Sequence, residues 1–251
     1  MNLILPKNIY SVLIAQHLPE AMRENIRYMP ASVIAQQVSA DENAVGLIPS
    51  LDLINHKELY ISSQAGIAYE GVLGNSWLYF NDKEQKVNDL FLLGDISSTE
   101  VILSKILFKE TYNTDINIHL AADKNILDKN LLLIGDLNYK NELYSRGLSF
   151  TEEIIELIST PFVNYLYASV KKENVEILNQ SLKGVANKVY DLIEEKQFGS
   201  ELSDQSMDYI SRNVSDLIFE FTDQDNEGIN QLLRLPYFYG ISPEIFDLKF
   251  V

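Results

Sequence analysis

The sequence predicts an α/β protein, and three observations indicate this fold class. Short apolar runs bounded by turn residues alternate, from Leu3 to Tyr167, with segments whose apolar residues recur at helical spacing. Beyond Ser169 only helical patterns follow, which predicts a helical C-terminal tail. A chain of 251 residues with 46% hydrophobic residues can bury a sizeable core, as one large domain or two small ones.

The N-terminal part is predicted to consist of strands and two helices. Apolar residues at helical spacing predict helices over Ile9 to Met22, with Pro19 marking a bend or end, and over Pro30 to Val38. The strands, which are rich in β-branched, aliphatic or aromatic residues, are predicted at Leu3 to Leu5, Ile26 to Met29, Ala44 to Ile48, Leu59 to Ile61, Ile67 to Leu73, Ser76 to Phe80 and Asp89 to Leu93.

A capping pattern opens the middle part of the chain. Ser97-Ser-Thr-Glu100 has the Ser-x-x-Glu spacing in which the first and last side chains satisfy each other's backbone N–H groups, and apolar residues at helical spacing follow it. The remaining elements are predicted as strands at Asn117 to Leu120, Leu131 to Ile134 and Pro161 to Tyr167, and as helices at Phe150 to Leu157, Asn174 to Gln197, Asp204 to Phe221 and Glu227 to Leu233.

The charge of the chain argues against two classes of partner. Twenty Lys and Arg against 36 Asp and Glu give a formal net charge of −16. Such a surface repels nucleic-acid phosphates and anionic lipid heads, so we expect no nucleic-acid partner. No apolar run is long enough to span a bilayer, so no membrane insertion is expected. An anionic ligand would therefore need a locally positive pocket built from backbone N–H groups and helix N-termini.

Several kinds of reactive site are excluded by composition or spacing. The chain has no cysteine, which removes disulfides, thiolate nucleophiles and cysteine-based zinc sites, and fits a cytoplasmic location. Its N-terminus lacks the basic start and long apolar run of a secretory signal. The histidines, His17, His56 and His119, are isolated in sequence, so no metal site is predicted. There is no GxGxxG or GxSxG motif, and we expect no cofactor.

Five short patterns in a particular order resemble a known enzyme family. They are Gly46-Leu-Ile-Pro-Ser50, the strand from Gly66 to Leu73, Asp95-Ile-Ser-Ser-Thr99, Ile134-Gly-Asp136 and Pro161-Phe-Val163. Together with an early segment that contains Tyr10 and a tail helix carrying Tyr209-Ile210, this order resembles the menaquinone-biosynthesis family of the futalosine route, whose best-known member is chorismate dehydratase. The likeness covers nearly the full chain.

The resemblance implies a two-lobed fold similar to the type 2 periplasmic binding proteins, with a helical C-terminal tail. We expect residues 1–93 and 165–251 to form lobe 1 with the tail, and residues 94–164 to form lobe 2. The ligand is then expected in the cleft between the lobes, outside the carboxyl ends of the strands.

The same resemblance implies where a small carboxylated metabolite would bind. Ser97, Ser98 and Thr99 open the first helix of lobe 2, where hydroxyls and free backbone N–H groups could hold a carboxylate. The alternative is that they only cap that helix. Ser50 could supply a donor from the opposite wall, and the alternative there is a turn set by Pro49.

The catalytic residues of the family do not carry over to this chain. The family has an early Tyr-Leu-Asn, but this sequence has Ile9-Tyr10-Ser11; it has a Ser before the Val-Leu of the glycine-containing strand, but this sequence has Gly71. Ser11, Tyr69 and Glu70 are therefore the catalytic candidates, and strand alternation allows only one of the last two to face the cleft.

Asp136, at the end of the strand Leu131 to Ile134, is predicted to border the cleft in lobe 2. A carboxylate is a poor partner for an anionic ligand, so we expect Asp136 to accept hydrogen bonds from nearby donors and to fix the cleft wall behind the ligand. Replacing Asp136 by Asn is then expected to cost stability or ligand affinity.

Three functions are compatible with these observations. The first is a cytoplasmic carbon–oxygen lyase that dehydrates chorismate or a related carboxylate. The second is a catalytically silent protein that binds a small carboxylate on the same scaffold. The third is an oligomer formed through the C-terminal helices, whose Tyr237, Phe238, Tyr239, Phe246 and Phe250 could dock on another chain or pack on their own domain.

Overall fold

The secondary structure follows the predicted alternation of strands and helices. The computed structural model describes residues 1–84, 86–122, 128–198 and 201–251. The strands are β1 (Asn2–Pro6), β2 (Ile26–Met29), β3 (Ala44–Pro49), β4 (Tyr60–Tyr69), β5 (Ser76–Tyr79), β6 (Asp89–Gly94), β7 (Asn117–Leu120), β8 (Leu131–Ile134), β9 (Leu148–Ser149), β10 (Phe162–Ser169), β11 (Leu217–Glu220) and β12 (Lys249–Phe250).

Helices connect most of these strands. They are α1 (Ile9–His17), α2 (Glu20–Arg23), α3 (Ala31–Ala40), α4 (Ser98–Tyr112), α5 (Leu137–Lys140), α6 (Phe150–Ile158), α7 (Lys172–Leu182), α8 (Val185–Glu194), α9 (Asp204–Arg212) and α10 (Asp223–Phe238). Short 3-10 turns occur at Ser50–Ile54, Leu143–Ser145 and Val214–Asp216. Pro19 separates α1 from α2, as predicted, because its ring removes the N–H that a continuing helix needs.

The strands form two sheets with the same internal plan. The seven-stranded sheet has the order β2-β1-β3-β10-β4-β11, with β12 also pairing with β4, and the five-stranded sheet has the order β7-β6-β8-β5-β9. In each sheet one strand (β1 or β6) is paired in parallel on both sides. Each sheet also has one antiparallel strand (β10 or β5) that is the first strand after the chain leaves the other sheet. Each sheet is therefore the centre of one lobe.

Burial explains which strands form the core. Every residue of β3, β8 and β10 is buried, as expected for strands that are covered by helices on both faces. The edge strands β2 and β7 have half-buried and exposed side chains instead. Continuous apolar runs in the sequence thus correspond to the sheet centres.

The predicted helical tail is only partly correct. Helices α7 to α10 are present, but β11 lies between α9 and α10, β12 follows α10, and both strands pair with β4 of the larger sheet. The stretch from Asp204 to Phe221, which was predicted as one helix, ends at Arg212 and continues as β11. The spacing of apolar residues could not reveal this, because Leu217–Glu220 has only three apolar residues and its strand partner β4 lies far away in sequence.

The membership of β5 and β6 in the smaller sheet bears on the lobe boundary, which was expected at residue 93. Strands β5 and β6 lie in the smaller sheet, so the chain passes between the lobes within residues 70–75 and again within residues 159–161. We therefore propose that the smaller lobe comprises about residues 76–158. The sequence pattern does not mark this crossing, since β4 and β5 have similar composition.

Aromatic side chains fill the space beside the first crossing. The rings of Tyr10 in the larger lobe and Tyr139 in the smaller one meet edge to face, with centroids 6.4 Å apart. Within the lobes, Tyr69 packs on Tyr10 at 6.1 Å and Trp77 packs on Tyr139 at 5.2 Å in the same geometry. The Tyr10 and Tyr139 hydroxyls lie 2.9 Å apart, and the Tyr139 hydroxyl donates to the Gly74 carbonyl at 2.9 Å. These buried contacts tie the two lobes together next to the cleft.

Candidate functional site

A cavity of about 340 Å³ lies between the lobes at the carboxyl ends of β1, β6 and β8. This is the position at which open α/β sheets bind ligands, because loops and helix N-termini from neighbouring strands converge there. Its polar and charged lining comes from both lobes and consists of Lys7, Asn8, Asn75, Asp95, Asp136, Lys140 and Tyr165.

Two equivalent glycine–aspartate turns form one wall of this cavity. Gly94-Asp95 ends β6 and Gly135-Asp136 ends β8, and the two strands pair in parallel with Gly94 opposite Ile134. Both glycines have positive φ, +118° and +94°, and a Cβ on Gly94 would lie 1.9 Å from the Ile134 carbonyl oxygen. Only glycine fits there, so each strand turns sharply and presents the following carboxylate to the cleft.

Each of these carboxylates reaches a helix of the opposite lobe. Asp136 Oδ1 accepts the Ile9 N–H of α1 at 3.2 Å, and Asp95 Oδ1 accepts the Ala31 N–H of α3 at 2.9 Å. The first N–H groups of a helix have no partner within the helix, and the positive end of its dipole favours an anion. The protein's own carboxylates therefore occupy two helix N-termini that face the cleft.

In a third contact between the lobes, the carboxylate belongs to the larger lobe and the donor to the smaller one. Asp52, in the 3-10 turn of the larger lobe, accepts a hydrogen bond from the Ser98 hydroxyl at the start of α4. The Thr99 Oγ1 also accepts the Leu51 N–H at 3.3 Å. The helix start that was predicted to hold a ligand carboxylate is thus in contact with a carboxylate of the chain itself.

Burial raises the pKa of the carboxyl groups around the cleft. Desolvation raises the pKa of Asp136 and that of Asp52 to about 6 in each case, although hydrogen bonds from Ile9 and Ser98 act in the opposite direction. Desolvation also raises the pKa of Asp95 and of Glu100. None of the ion pairs in the described part of the chain includes Asp95 or Asp136.

One hydroxyl in the cavity wall lacks a hydrogen-bond partner. Tyr165, on β10, is 1% exposed, and its hydroxyl makes no hydrogen bond with the residues that the structure describes. Its pKa is raised well above the usual range, first by burial and then by the nearby carboxyl groups of Glu100 and Asp95. A buried polar group without a partner is unfavourable, so this hydroxyl is suited to a ligand atom in the cavity.

The structure places the predicted binding residues in different roles. Ser97 caps α4 through the predicted capping box, with its N–H and hydroxyl donating to Glu100 Oε2 at 2.8 and 2.6 Å. Ser98 and Thr99 make the contacts to the larger lobe, and the Ser50 hydroxyl donates to the Val163 carbonyl at 2.6 Å. None of these four side chains lines the cleft cavity, so their role in ligand binding stays a prediction.

The three catalytic candidates also lie outside the cavity lining. Ser11 caps α1 in a capping box with Asn8 and is fully buried. The Tyr69 ring packs in the aromatic cluster, and Glu70 is exposed, with its N–H bonded to the Asp216 carbonyl at 2.9 Å. Asp95 and Tyr165 line the cavity instead. The repeated Leu-Leu-Gly-Asp and Leu-Ile-Gly-Asp strand ends are the sequence signal that could have identified Asp95.

The described residues contain neither a metal-ligand cluster nor a membrane-spanning helix. Among the described residues no cluster of three or more His, Asp or Glu side chains is arranged to hold a metal ion. The helices of the same residues include none with the length and apolar character needed to cross a bilayer.

Comparison with solved structures identifies the architecture. The chain resembles the alkanesulfonate-binding protein SsuA from Xanthomonas axonopodis pv. citri bound to MOPS, with a TM-score of 0.67 and 12% identity over 97% of this chain and 94% of that one. It also resembles the periplasmic aliphatic sulphonate binding protein SsuA from Escherichia coli (TM-score 0.61, 13% identity, 99% and 95% coverage). The chain has a two-lobed type 2 periplasmic-binding-protein-like fold.

A third structure of this fold, protein AF1704 from Archaeoglobus fulgidus, matches with a TM-score of 0.61 and 11% identity over 95% of this chain and 97% of that one. Identities this low show the fold alone. The fold part of the predicted resemblance is therefore confirmed, whereas membership of the menaquinone-biosynthesis family stays a prediction.

Sequence comparison does not assign the chain to a family. No family model matches it. Over 173 residues it is 24% identical to the CRISPR-associated endoribonuclease Cas13a from Leptotrichia shahii, a match that covers 64% of this chain and 12% of that protein. The chain thus spans about an eighth of that relative's length, and this match carries no functional argument.

Proposed function

We propose that the cleft binds a small metabolite that carries both an amino group and a carboxylate. The observation that carries this proposal is the convergence of Asp95 and Asp136 on one cavity, both with a raised pKa and neither in an ion pair among the described residues. A ligand ammonium group between them would compensate the cost of burying their charges. The unpartnered Tyr165 hydroxyl offers one further hydrogen bond to the same ligand.

Two lysines supply the complementary charge for a ligand carboxylate. Lys7 and Lys140 line the same cavity and are exposed at its edge, although Lys140 also pairs with Glu201. The aliphatic sulphonates named for two structural neighbours are anions. In this chain the helix N-termini that would attract a purely anionic ligand already hold Asp95 and Asp136, which favours a zwitterion.

Calorimetric titration with three probes tests the proposal. L-alanine carries both charges, ethylamine only the cation and propionate only the anion, so alanine is expected to bind most tightly at pH 7.5. Asp136→Asn is expected to weaken alanine and ethylamine binding by roughly 10- to 100-fold, the loss of one charge-assisted hydrogen bond, and to leave propionate unaffected or improved.

The control for this titration is Asp115→Asn, which removes a carboxylate that is 85% exposed and remote from the cleft cavity. It is expected to leave all three affinities unchanged. Equal binding of the three probes, or an equal effect of both substitutions, would contradict the proposal.

Tyr165→Phe gives an independent prediction for the same cavity. Because the hydroxyl has no partner in the described residues, its removal is expected to leave the free energy of unfolding unchanged or slightly higher. Alanine affinity is expected to fall about three- to tenfold, through loss of one hydrogen bond of ~1 kcal/mol. Thermal denaturation and titration of the same variant measure both effects, and a large loss of stability would show that the hydroxyl serves the fold.

A second candidate is a carbon–oxygen lyase of the menaquinone-biosynthesis type, which would dehydrate chorismate in the cleft. The pKa of Asp136, which is raised to about 6, favours the lyase, because this carboxyl group could exchange a proton close to neutral pH. Incubation with chorismate, followed by detection of the enolpyruvyl benzoate, distinguishes the candidates. Turnover abolished by Asp136→Asn supports the lyase, whereas absence of both turnover and a chorismate-induced thermal shift supports the binding protein.

Two further predictions about the setting of the protein remain proposals. One is a cytoplasmic location, as expected for a chain that acts on a metabolite. The other is self-association through the C-terminal helices, which is compatible with the exposure of Tyr237 and Phe238 at the end of α10, 43% and 68% respectively.

A further inference from the structure

A second cavity of about 640 Å³ adjoins the cleft cavity and shares four lining residues with it. These are Lys7, Asn8, Asp136 and Lys140. The two spaces therefore meet at the turn that follows β8. A ligand whose charged groups lie at this junction could extend into the second cavity without leaving the protein surface.

The far walls of the second cavity are largely apolar. Val12 and Leu13 of α1 form one side, while Leu202, just before α9, and Met207, within α9, form the other. The polar residues that also line this cavity are Gln16, Lys196, Gln197 and Glu201. Leu13 and Leu202 are only 3% and 8% exposed, so the packed core supports these walls. An apolar wall next to charged groups suits an amphiphilic ligand rather than a fully polar one.

Opposite charges meet at the junction of the two cavities, where Asp136 and Lys140 line both spaces and Lys140 also pairs with Glu201. Asp136 and Lys140 stand four residues apart on the turn that becomes α5, with the Lys140 N–H bonded to the Asp136 carbonyl at 2.9 Å. Side chains at this spacing lie on the same face of a helix, with their Cβ atoms about 5–6 Å apart. An ammonium and a carboxylate on one carbon could then face Asp136 and Lys140 respectively.

We propose that the ligand is an α-amino acid with an extended apolar side chain, which lies along α1 in the second cavity. This rests on the proposed function, because the same Asp136 holds the ammonium group. The ammonium points into the cleft cavity toward Asp95 and Tyr165, and the carboxylate lies between Lys7 and Lys140. Chain length of the ligand, and not charge alone, then determines affinity.

A homologous series tests this inference separately from the proposed function. Alanine, 2-aminobutyrate, norvaline and norleucine share one charged head and differ by single methylenes. Affinity measured by calorimetry is expected to rise about fourfold per methylene, the factor that corresponds to ~0.8 kcal/mol per buried CH₂. Val12→Gln, a change at a partly exposed position of α1, is expected to abolish this increase along the series.

The matched control is Val101→Gln, which makes the same change at a partly exposed position of α4 away from both cavities. It is expected to retain the full dependence on chain length. If alanine binds and the affinity does not rise along the series, this inference is wrong and the proposed function stands. If no member of the series binds, both are wrong.

Discussion

Urea denaturation is expected to show a protein that is more stable at pH 5 than at pH 7.5 by roughly 2–3 kcal/mol. The cause is the raised pKa, about 6, of both Asp52 and Asp136. Between the unfolded-state pKa near 3.8 and about 6, the folded protein binds these protons and the unfolded chain does not. The contribution of these two carboxyl groups to the free energy of unfolding is therefore fully present below about pH 4 and is lost as the pH rises through about 6.

Asp136→Asn is expected to remove about half of this pH dependence. The amide oxygen can still accept the Ile9 N–H, and the cost of burying a charge disappears. The free energy of unfolding at pH 7.5 should thus stay equal or rise by about 1 kcal/mol. This reverses the loss of stability expected from sequence, while the expected loss of ligand affinity is retained.

Asp41→Asn is the control for the pH experiment. Hydrogen bonds from Asn2 and from the Asn43 N–H lower the pKa of Asp41, so its stabilising effect is lost only as the pH falls below its ordinary value. The variant is expected to be less stable than the parent at both pH values and to keep the full difference between them. An unchanged pH dependence in Asp136→Asn would show that this carboxyl does not carry the effect.

The second large effect is expected at the contact between Ser98 and Asp52. Ser98→Ala leaves the buried Asp52 carboxylate without its side-chain donor, and is expected to cost roughly 2 kcal/mol at pH 7.5. In the Asp52→Asn background the same change removes only a neutral hydrogen bond, and its cost is expected to fall to about 1 kcal/mol. Urea denaturation of the four proteins gives the coupling energy directly.

Ser62→Ala serves as the matched control, because its buried hydroxyl donates to the neutral Asn179 Oδ1 at 2.6 Å in another part of the fold. Its cost is expected to be the same with Asp52 or Asn at position 52. If Ser98→Ala behaved like this control, the contact between the lobes would be independent of the Asp52 charge.

Most of the individual elements could be predicted from the sequence. Strands β1 and β8 contain three and four consecutive aliphatic residues, β3 has apolar residues on both sides of Gly46, and α4 opens with a capping box that the structure retains. These features depend on side chains that are close in sequence. The predicted fold class is confirmed for the same reason, since alternating strands and helices have few compatible arrangements.

The lobe boundary and the tail strands could not be predicted in this way. β5 joins the smaller sheet because it pairs with β8, which is more than fifty residues later in the chain, and β11 joins the larger one by pairing with β4. Strand pairing over such separations depends on which surfaces the whole fold brings together. The residues of Ser76–Tyr79 and of Leu217–Glu220 do not themselves indicate which sheet each strand joins.

The sequence by itself determined the strand ends that carry Asp95 and Asp136, because each apolar run stops at a glycine that permits the turn. Only the tertiary structure decided what these carboxylates do. It places each one at the N-terminus of a helix from the opposite lobe and partly buries it, which raises its pKa. Ser97, Ser98 and Thr99 were equally visible in sequence, yet their donors are already used by Glu100 and Asp52 or lie outside the cavity. The chemical type of each side chain can be seen in the sequence. Its desolvation and its hydrogen-bond partners depend on residues that only folding brings into contact.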